Sequence, residues 1–252
     1  MELKYDKVMK IVSTIEARMG STRLPEKTMK EIVGKPMLEL LIERLKRAKR
    51  IDEIIVATTT EPEDNVIAEL AKRVGVKCFK GSSEDVLDRV LRAAKTYQAD
   101  IIVEMTGDCP LLDPVLIDKV IDIYLRNSHD YVSNTIKRTY PRGLDTQVFS
   151  VKILDEISKL TNEPADRENV SLYIYEHPER YRLYNVEASP EYRYPEQRWT
   201  VDTKDDLQFV KEVYENLYHK NPDFLTEDIV KLLKEKPNLC EINLHIKQKP
   251  VR

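Results

Sequence analysis

The sequence has few glycines and none of the glycine-rich motifs that cradle phosphates or dinucleotides. Six glycines occur among 252 residues, and no two of them are separated by a single residue. Neither a G-x-G-x-x-G fingerprint nor a G-x-x-x-x-G-K-[ST] loop is present, and a G-x-S-x-G nucleophile elbow is missing too. These absences argue against dinucleotide oxidoreductases, P-loop nucleoside triphosphatases and α/β-hydrolases.

Cysteine and histidine are also scarce, and their spacing indicates no metal site. The three cysteines are odd in number and form no C-x-x-C pair, which argues against a disulfide framework and against a zinc cluster. The four histidines show no ligand spacing either. These seven residues are Cys78, Cys109, Cys240, His129, His177, His219 and His245. We therefore expect a reducing, cytoplasmic setting.

Long apolar runs and an excess of positive charge are missing as well. No stretch approaches the roughly 20 apolar residues of a membrane span, and Lys4, Lys7 and Lys10 interrupt any signal-peptide core. The net charge of −3 leaves no basic excess to neutralise nucleic-acid phosphates. The sequence predicts a soluble protein without membrane or nucleic-acid partners, and an RNA-binding module fits poorly with this charge and only four phenylalanines.

Apolar runs alternate with amphipathic stretches through the first half of the chain. Strands are predicted at 8–15, 54–58, 76–79 and 101–105, and a last core strand at 198–201. Helices are predicted from Pro36, from Pro62, after a capping-box-like Ser82 and Asp85, from Asp113-Pro114 to about Arg126, at 204–219 behind Thr203, and at 225–234. This rhythm predicts an α/β fold with a mostly parallel sheet and helices on both faces.

The rhythm breaks in residues 134–200, which are richer in Tyr, Arg and Pro. The length of the chain suits one domain. We therefore predict a single domain over residues 1–252, with 134–200 as an insertion that covers the mouth of the sheet and carries an oligomer contact.

The stretch EARMGSTRLPEK, residues 16–27, follows the first predicted strand and is unusually rich in cations. It holds Arg18, Arg23 and Lys27 beside the small hydroxyls of Ser21 and Thr22. The carboxyl end of a parallel strand is where open α/β sheets bind ligands. Gly20 adds a position where the backbone can approach a ligand closely. These residue types suit the binding of a triphosphate, although a solvated basic loop would have the same composition.

Two aspartates are predicted to reach the same edge of the sheet. Asp108 follows the fourth strand directly behind Gly107, and Asp202 ends the last predicted strand. Carboxylates facing a triphosphate are natural Mg²⁺ ligands. Asp113 is interpreted as a helix cap, and Asp205 and Asp206 as structural residues in a first helical turn.

Eight motifs together resemble the SpsF-like branch of the cytidylyltransferases, a family that includes the acylneuraminate and 3-deoxy-manno-octulosonate enzymes. The resemblance covers roughly residues 8–218, and the order of the motifs makes it specific. The motifs are IEARMGSTRLPEK, GKPML, VATTT, GSSEDVLDR, TGDCPLLDP, YPRGLDTQVFS, RENVSLYIYEHPERY and WTVDTKDDL.

The resemblance implies a nucleotide-diphosphosugar-transferase fold (glycosyltransferase-A-like, Rossmann-like), CTP as co-substrate, Mg²⁺ as cofactor and a homodimer. It implies nucleotide binding by Arg18, Gly20, Ser21, Thr22, Arg23, Lys27, Ser82, Asp88 and Arg89. Arg18, Lys27 and Asp108 would be catalytic, and Asp108 and Asp202 would bind the metal.

An acidic acceptor is expected at a separate group of residues. In YPRGLDTQVFS the resemblance points to Arg142 and Asp145, with Gly143 allowing a turn between them, and Glu168 joins them from RENV. A tight hairpin is the other interpretation of this stretch. The family commonly carries His where this chain has Asn169, so the acceptor here can differ from that of relatives.

The expected reaction is the transfer of CMP from CTP to an acidic sugar or a small phosphorylated or carboxylated acceptor, in the synthesis of surface polysaccharide or glycoconjugate precursors. Two alternatives remain open. One is a nucleotidyltransferase or glycosyltransferase of the same fold that uses another nucleotide, because sequence chemistry does not distinguish cytosine from uracil. The other is a non-catalytic nucleotide-binding protein.

Overall fold

The computed structural model describes residues 9–251. Lys4, Lys7 and the first residue of the predicted strand 8–15 lie outside the described residues. The strands are β1 (Ile11–Glu16), β2 (Glu31–Ile32), β3 (Lys35–Pro36), β4 (Glu53–Thr59), β5 (Lys77–Gly81), β6 (Ile101–Thr106), β7 (Tyr131–Ser133), β8 (Gln147–Ser150) and β9 (Leu183–Asn185). The helices are α1 (Met37–Leu45), α2 (Asn65–Arg73), α3 (Val86–Thr96), α4 (Pro114–Arg126), α5 (Val151–Leu160), α6 (Pro164–Glu168), α7 (Leu172–Glu176), α8 (Lys204–Leu217) and α9 (Thr226–Glu235).

Seven strands form one sheet in the order β5-β4-β1-β6-β8-β7-β9, and β2 and β3 form a separate hairpin. The pairs β4–β5, β1–β4, β1–β6 and β7–β9 are parallel, whereas β8 is antiparallel to both β6 and β7. The prediction of a mostly parallel sheet is confirmed, and β6 is its middle strand, with β1 beside it.

Alternate residues of each buried strand point to opposite sides, so the sheet presents apolar side chains on both faces. Helices cover both of these faces. Ile15 and Val103 belong to the larger apolar core, to which α1, α4, α8 and α9 contribute. Val12 and Ile102 belong to the second core, which packs against α3 and α5. Helices on both faces were expected, and the two cores confirm that arrangement.

The predicted last strand at 198–201 is wrong. Arg198 makes only an isolated parallel bridge to Arg142, and Val201 donates its N–H to the carbonyl of Asp108 at 2.8 Å. The position beside β6 is occupied by β8, which comes from the 134–200 region. Residues 134–200 therefore do more than cover the sheet, because they contribute β8 and β9 to it.

Several helix starts differ from the expected positions. Pro36 pairs in the β2–β3 hairpin and caps α1, so the first helical residue is Met37. Asp85, not Ser82, is the N-cap of α3, and it accepts the N–H of Asp88. Asp113 caps α4 as expected. Among the described residues, no helix is both long and apolar enough to cross a membrane.

Candidate functional site

A cleft of about 870 Å³ opens at the carboxyl ends of β1 and β6. It gathers twelve of the residues that the sequence nominated. They are Arg18, Gly20, Ser21, Thr22, Arg23, Lys27, Arg89, Asp108, Arg142, Asp145, Glu168 and Asp202. Parallel strands end at the same edge of a sheet, so residues far apart along the chain meet there.

Ser82 and Asp88 are not brought to this cleft. The Ser82 hydroxyl accepts the N–H groups of Glu84 and Asp85 and shapes the turn before α3. Asp88 lies in the first turn of α3, 3.7 Å from Arg92. Arg89, one residue later, turns inward instead and lines the cleft while it donates to the carbonyl of Ser82.

The ammonium of Lys27 connects the two predicted metal ligands. Its Nζ lies 2.8 Å from Asp108 Oδ2 and 3.0 Å from Asp202 Oδ1, and it also donates to the carbonyl of Val201 at 3.0 Å. Lys27 begins a 3-10 turn behind Glu26, whose φ is 59°. Both carboxylates therefore converge on one point, which is held by a cation.

Gly107 allows this convergence. A Cβ at this position would lie 2.8 Å from the carbonyl oxygen of Glu16, which real side chains essentially never tolerate. The N–H of Gly107 donates to that same carbonyl at 2.9 Å. The turn after β6 thus packs directly against the end of β1 and places Asp108 beside the cationic loop.

Burial and charge act in opposite directions on these groups, and charge prevails. Burial alone would lower the pKa of Lys27, but Asp108 and Asp202 hold that pKa above its ordinary value. Burial alone would raise the pKa of Asp108, but the charge and hydrogen bond of Lys27 hold it below its ordinary value. Both groups are therefore charged at neutral pH.

Asp202 contacts two further cations. Arg23 lies 2.9 Å from its Oδ1, and Arg198 lies 3.2 Å from its Oδ2. Arg198 is fixed in turn by Asp206 at 3.2 Å, and Asp206 also forms a capping box with Thr203. The sequence indicated the structural role of Asp206 at the start of α8 but gave no signal for its buried pairing with Arg198.

The loop between β1 and the 3-10 turn offers unpaired donors. Among the described residues, the backbone N–H groups of Gly20, Thr22 and Arg23 donate to no protein acceptor. Arg18 is exposed, and within residues 9–251 its guanidinium donates only to the carbonyl of Ser83, at 3.4 Å. Such a concentration of free donors and positive charge is suited to phosphate oxygens.

Asp64 fixes this loop, and sequence reasoning missed it. This residue is 1% exposed and accepts the N–H of Met19 at 2.7 Å. It also accepts the hydroxyl of Thr59 at the end of β4. An acidic residue just behind a strand was the available signal, but it could not be distinguished from an ordinary helix-start aspartate.

The predicted acceptor residues line the same cleft. Asp145 is held by Arg138 through two parallel bonds of 2.7 and 2.8 Å. Gly143 has a φ of +105° and donates its N–H to Asp145 at 3.2 Å, so the expected turn is present. The guanidinium of Arg142 makes no hydrogen bond or ion pair within the described part of the chain.

Two glutamates also line the cleft, and sequence reasoning missed both. Glu16 ends β1 and Glu104 lies in β6. Burial raises the pKa of Glu104 to about 7, and burial together with the charge of Glu104 raises that of Glu16 well above its ordinary value. A glutamate inside each of two apolar strands was the overlooked signal.

Oxygen ligands for a hard cation are present in the cleft. Asp108 and Asp202 supply carboxylates, which Mg²⁺ prefers, and both already point at one cation. Over residues 9–251 no group of three or more His, Cys, Asp or Glu side chains is arranged to hold a metal ion. A divalent cation here would therefore depend on these two residues and on phosphate oxygens.

Three proteins similar in sequence to this chain cover two thirds of it or more. The chain is 40% identical to an uncharacterised protein of Methanocaldococcus jannaschii, over 97% of this chain and 98% of that protein. It is 32% identical to the spore coat polysaccharide biosynthesis protein SpsF of Bacillus subtilis, over 90% and 95%. It is 34% identical to the 3-deoxy-manno-octulosonate cytidylyltransferase of Geobacter metallireducens, over 66% and 75%.

A solved structure and a family model agree with these relatives. A cytidylyltransferase from Leptospira borgpetersenii has a TM-score of 0.88 and 33% identity, over 96% of this chain and 100% of that one. The family model described as cytidylyltransferase matches residues 12–234, which include the cationic loop and both aspartates. The chain belongs to the cytidylyltransferase family, in its SpsF-like branch.

Proposed function

We propose that this protein transfers CMP from CTP to an acidic sugar or a small phosphorylated or carboxylated acceptor, releasing pyrophosphate. The product would serve in surface polysaccharide or glycoconjugate precursor synthesis. The observation that carries the proposal is the Lys27 ammonium held between Asp108 and Asp202, directly beside a loop of free N–H donors. Family membership supports CTP as the nucleotide.

The triphosphate would lie against the loop after β1. Arg18 and Arg23 supply positive charge there, and the free N–H groups of Gly20, Thr22 and Arg23 supply donors. Ser21 and Thr22 add hydroxyls that line the same cleft. Charge-assisted bonds to phosphate are the strong ones in such a site.

Mg²⁺ would be held by Asp108 and Asp202, whose convergence on one cation is the support for it. When bound, the ion would neutralise phosphate charge and make the α-phosphorus a better electrophile. Lys27 and Arg23 now balance the charge of these carboxylates. In the loaded enzyme they are free to turn their positive charge towards the phosphates.

The reaction is a single in-line displacement. An acceptor oxygen, ionised already or after its proton passes to solvent water, forms a bond to the α-phosphorus of CTP. The bond between that phosphorus and the oxygen bridging to the β-phosphate breaks, and pyrophosphate leaves with the electron pair. Arg18 stabilises the reacting phosphate, while Lys27 and Arg23 stabilise charge that gathers on the pyrophosphate. Alignment and charge stabilisation supply most of the acceleration in this kind of chemistry.

The acceptor would bind on the side of Arg142, Asp145 and Glu168. The unpaired guanidinium of Arg142 supports an anionic group there. Burial lowers the pKa of Arg142, and the nearby charge of Arg138 lowers it further, so an anion would relieve an unbalanced positive site. We also propose a cytoplasmic homodimer that contacts its partner copy through residues 134–200.

The test is ligand protection followed by turnover. Thermal unfolding is measured with Mg²⁺ and each of CTP, ATP, GTP and UTP, since a ligand that binds the folded state raises the unfolding temperature. We expect protection by CTP in the wild type and its loss in Asp108→Asn, with pyrophosphate released only when an acidic acceptor is added. Asp155→Asn, a change in surface ion pairs on α5, is the matched control.

Three results would contradict the proposal. Preference for another nucleotide would move the function to a different nucleotidyltransferase or glycosyltransferase. CTP protection without pyrophosphate release from any acidic acceptor would indicate a non-catalytic nucleotide-binding protein. Wild-type turnover in Asp108→Asn would remove that residue from the metal site.

A further inference from the structure

The last described residues of the chain return to the cleft. We call residues 242–251, which form neither helix nor strand, the C-terminal strap. Its Gln248, Lys249 and Val251 line the cleft together with the cationic loop and the two aspartates. The family model ends at residue 234, so this contact lies outside the part of the chain that is matched to the family.

Two side chains attach the C-terminal strap to one buried arginine. Asn243 is 3% exposed, and its Nδ2 donates to the carbonyl of Arg198 at 2.8 Å and to Asp206 Oδ1 at 2.9 Å. Five residues later, Gln248 Oε1 accepts a hydrogen bond from the guanidinium of Arg198 at 2.6 Å. The strap is therefore held near its beginning and near its end, and its path towards the cleft is fixed by these bonds.

The contacts of Arg198 show which part of the cleft the strap adjoins. Its guanidinium donates to Asp202 Oδ2 at 3.2 Å, and its backbone forms the isolated parallel bridge with Arg142. Under the proposed function the reacting phosphate would lie at the first of these residues and the acid group of the acceptor at the second. The strap is therefore attached where the two substrates would meet.

The positive charge of Lys249 is not used by the protein itself. Within the described part of the chain its ammonium makes no hydrogen bond or ion pair. Asp202 is already paired with Lys27, Arg23 and Arg198, so it does not require a fourth cation. An exposed lysine is ordinarily just solvated, but Lys249 lies at the wall of an anion-binding cleft, where its charge remains available for a ligand.

We propose that the C-terminal strap brings Lys249 into the cleft as a further substrate-binding residue, whose ammonium binds an anionic group of one of the two substrates. That group is a phosphate of the nucleotide or the acid group of the acceptor, and both form charge-assisted hydrogen bonds with an ammonium. The inference rests on the proposed function and adds to it a residue outside the family match. Gln248 is a positioning residue, because it holds the strap on Arg198.

The experiment distinguishes the two sources of the anion with separate probes. Calorimetry in the presence of Mg²⁺ measures the dissociation constants of CTP and pyrophosphate for the nucleotide side, and of 3-deoxy-manno-octulosonate and glycerol 3-phosphate for the acceptor side. The proteins are the wild type, Lys249→Ala, Lys249→Arg and Lys247→Ala. Lys247 is the matched control, because it is an exposed lysine of the same strap but is not among the described residues that line the cleft.

We expect Lys249→Ala to weaken the probes of one side by about 10-fold, which is roughly the value of one charge-assisted hydrogen bond. The side that loses affinity identifies the anion. Lys249→Arg should keep most of the affinity because it keeps the charge, and Lys247→Ala should match the wild type. Salt screens exposed charges, so the loss should become smaller at high ionic strength, which a purely conformational effect would not do.

The positioning role of Gln248 has its own test. Gln248→Ala removes the bond to Arg198 and should weaken the same probes as Lys249→Ala. If the glutamine acts through the lysine, the double variant should bind no more weakly than Lys249→Ala alone, since the two losses are then one effect. Fully additive losses would overturn this role. Unfolding curves check that every variant remains folded.

The outcomes separate this inference from the proposed function. If CTP binds the wild type and no probe binds more weakly to Lys249→Ala, the role of Lys249 is overturned while the proposed function stands. An equal loss in Lys247→Ala would also overturn it, because the effect would then come from the overall charge of the strap. If CTP does not bind the wild type, the proposed function fails, and the inference that rests on it fails too.

Discussion

At the scale of single residues, Lys27 joins the two aspartates of the site to its own loop. It contacts a carboxylate from the turn after β6, a carboxylate before α8 and a backbone carbonyl. One ammonium therefore holds two segments that are distant in sequence, the turn at Asp108 and the stretch Val201 to Asp202. Without it, Asp108 and Asp202 would face each other with less compensating charge.

We predict that Lys27→Ala lowers kcat/KM by about 10²-fold or more, because a fixed charge that stabilises a transition state is worth this much. Pyrophosphate release with CTP and a competent acceptor measures it. Lys49→Ala, an exposed lysine between α1 and β4, should leave the rate unchanged. An unchanged rate in Lys27→Ala would show that this lysine does not stabilise the transition state and has a structural role only.

Glu104 gives a prediction about stability that does not depend on function. Burial raises its pKa from an ordinary 4.5 to about 7 in the folded state. Its ionisation is therefore harder in the folded than in the unfolded chain, so stability from this group is full below its ordinary pKa and is lost as pH rises through about 7.

Glu104→Gln should remove that loss. We expect the free energy of unfolding of the variant, relative to wild type, to rise by roughly 1–3 kcal/mol between pH 4 and pH 8. Urea unfolding at both pH values measures the difference, and Glu69→Gln provides the baseline. A difference that stays constant with pH would contradict the raised pKa.

At the scale of secondary-structure elements, the turns between elements aim the functional side chains. Gly143 connects Arg142 to Asp145 with a φ of +105°, and a Cβ there would lie 2.6 Å from the carbonyl carbon of Trp199. Gly20, by contrast, has open space around its Cβ position. Glycine is thus required by packing at one of these positions and not at the other.

We predict that Gly143→Ala destabilises the fold by about 1–3 kcal/mol, since it adds both steric overlap and a strained backbone conformation. It should also weaken acceptor binding more than CTP binding, because Arg142 and Asp145 flank it. Gly20→Ala is the paired comparison and should leave stability within about 0.5 kcal/mol. Equal stability of the two variants would argue against the packing account.

At the scale of the whole molecule, the sheet ends in a short strand from the 134–200 region. β9 pairs with β7 on one side and is the last strand in the order, and its Tyr184 is 42% exposed. An edge strand with an exposed aromatic side chain is a common place for contact with a second chain. The homodimer proposed above uses the same region of the chain.

We therefore expect sedimentation equilibrium to give the mass of two chains at micromolar concentration. Tyr184→Lys should shift the population towards one chain, because a charge would be buried at the contact. Val115→Lys changes a more exposed apolar residue outside this region and should leave the mass unaffected. A monomer in the wild type would contradict the expectation.

Much of the fold and site could be predicted from local sequence. Apolar runs of the right length gave β1, β4, β5 and β6, and cap residues such as Asp113 gave helix starts. The site followed from one rule, because residues just after parallel strands share one edge of the sheet. This is why Arg18 and Asp108 could be assigned to one cleft without a structure.

Other features depended on contacts that local sequence does not encode. The strand next to β6 is decided by which segment returns to pair with it, and β8 pairs there, whereas residues 198–201 form only an isolated bridge. The pairing of Arg198 with Asp206 arises only when α8 packs against that segment. Strand pairing is non-local, so the hydrophobic pattern predicts strands more reliably than their neighbours.

By itself the sequence determined the chemistry of the nucleotide side: three cations, two aspartates and the strands that deliver them to one edge. Only the tertiary structure decided that Lys27 joins the two aspartates, that Asp64 fixes the loop, and that Glu16 and Glu104 meet at the floor of the cleft. The physical reason is that the order of residue types sets local conformation. Burial, register and the partner of each charge exist only once distant segments pack together.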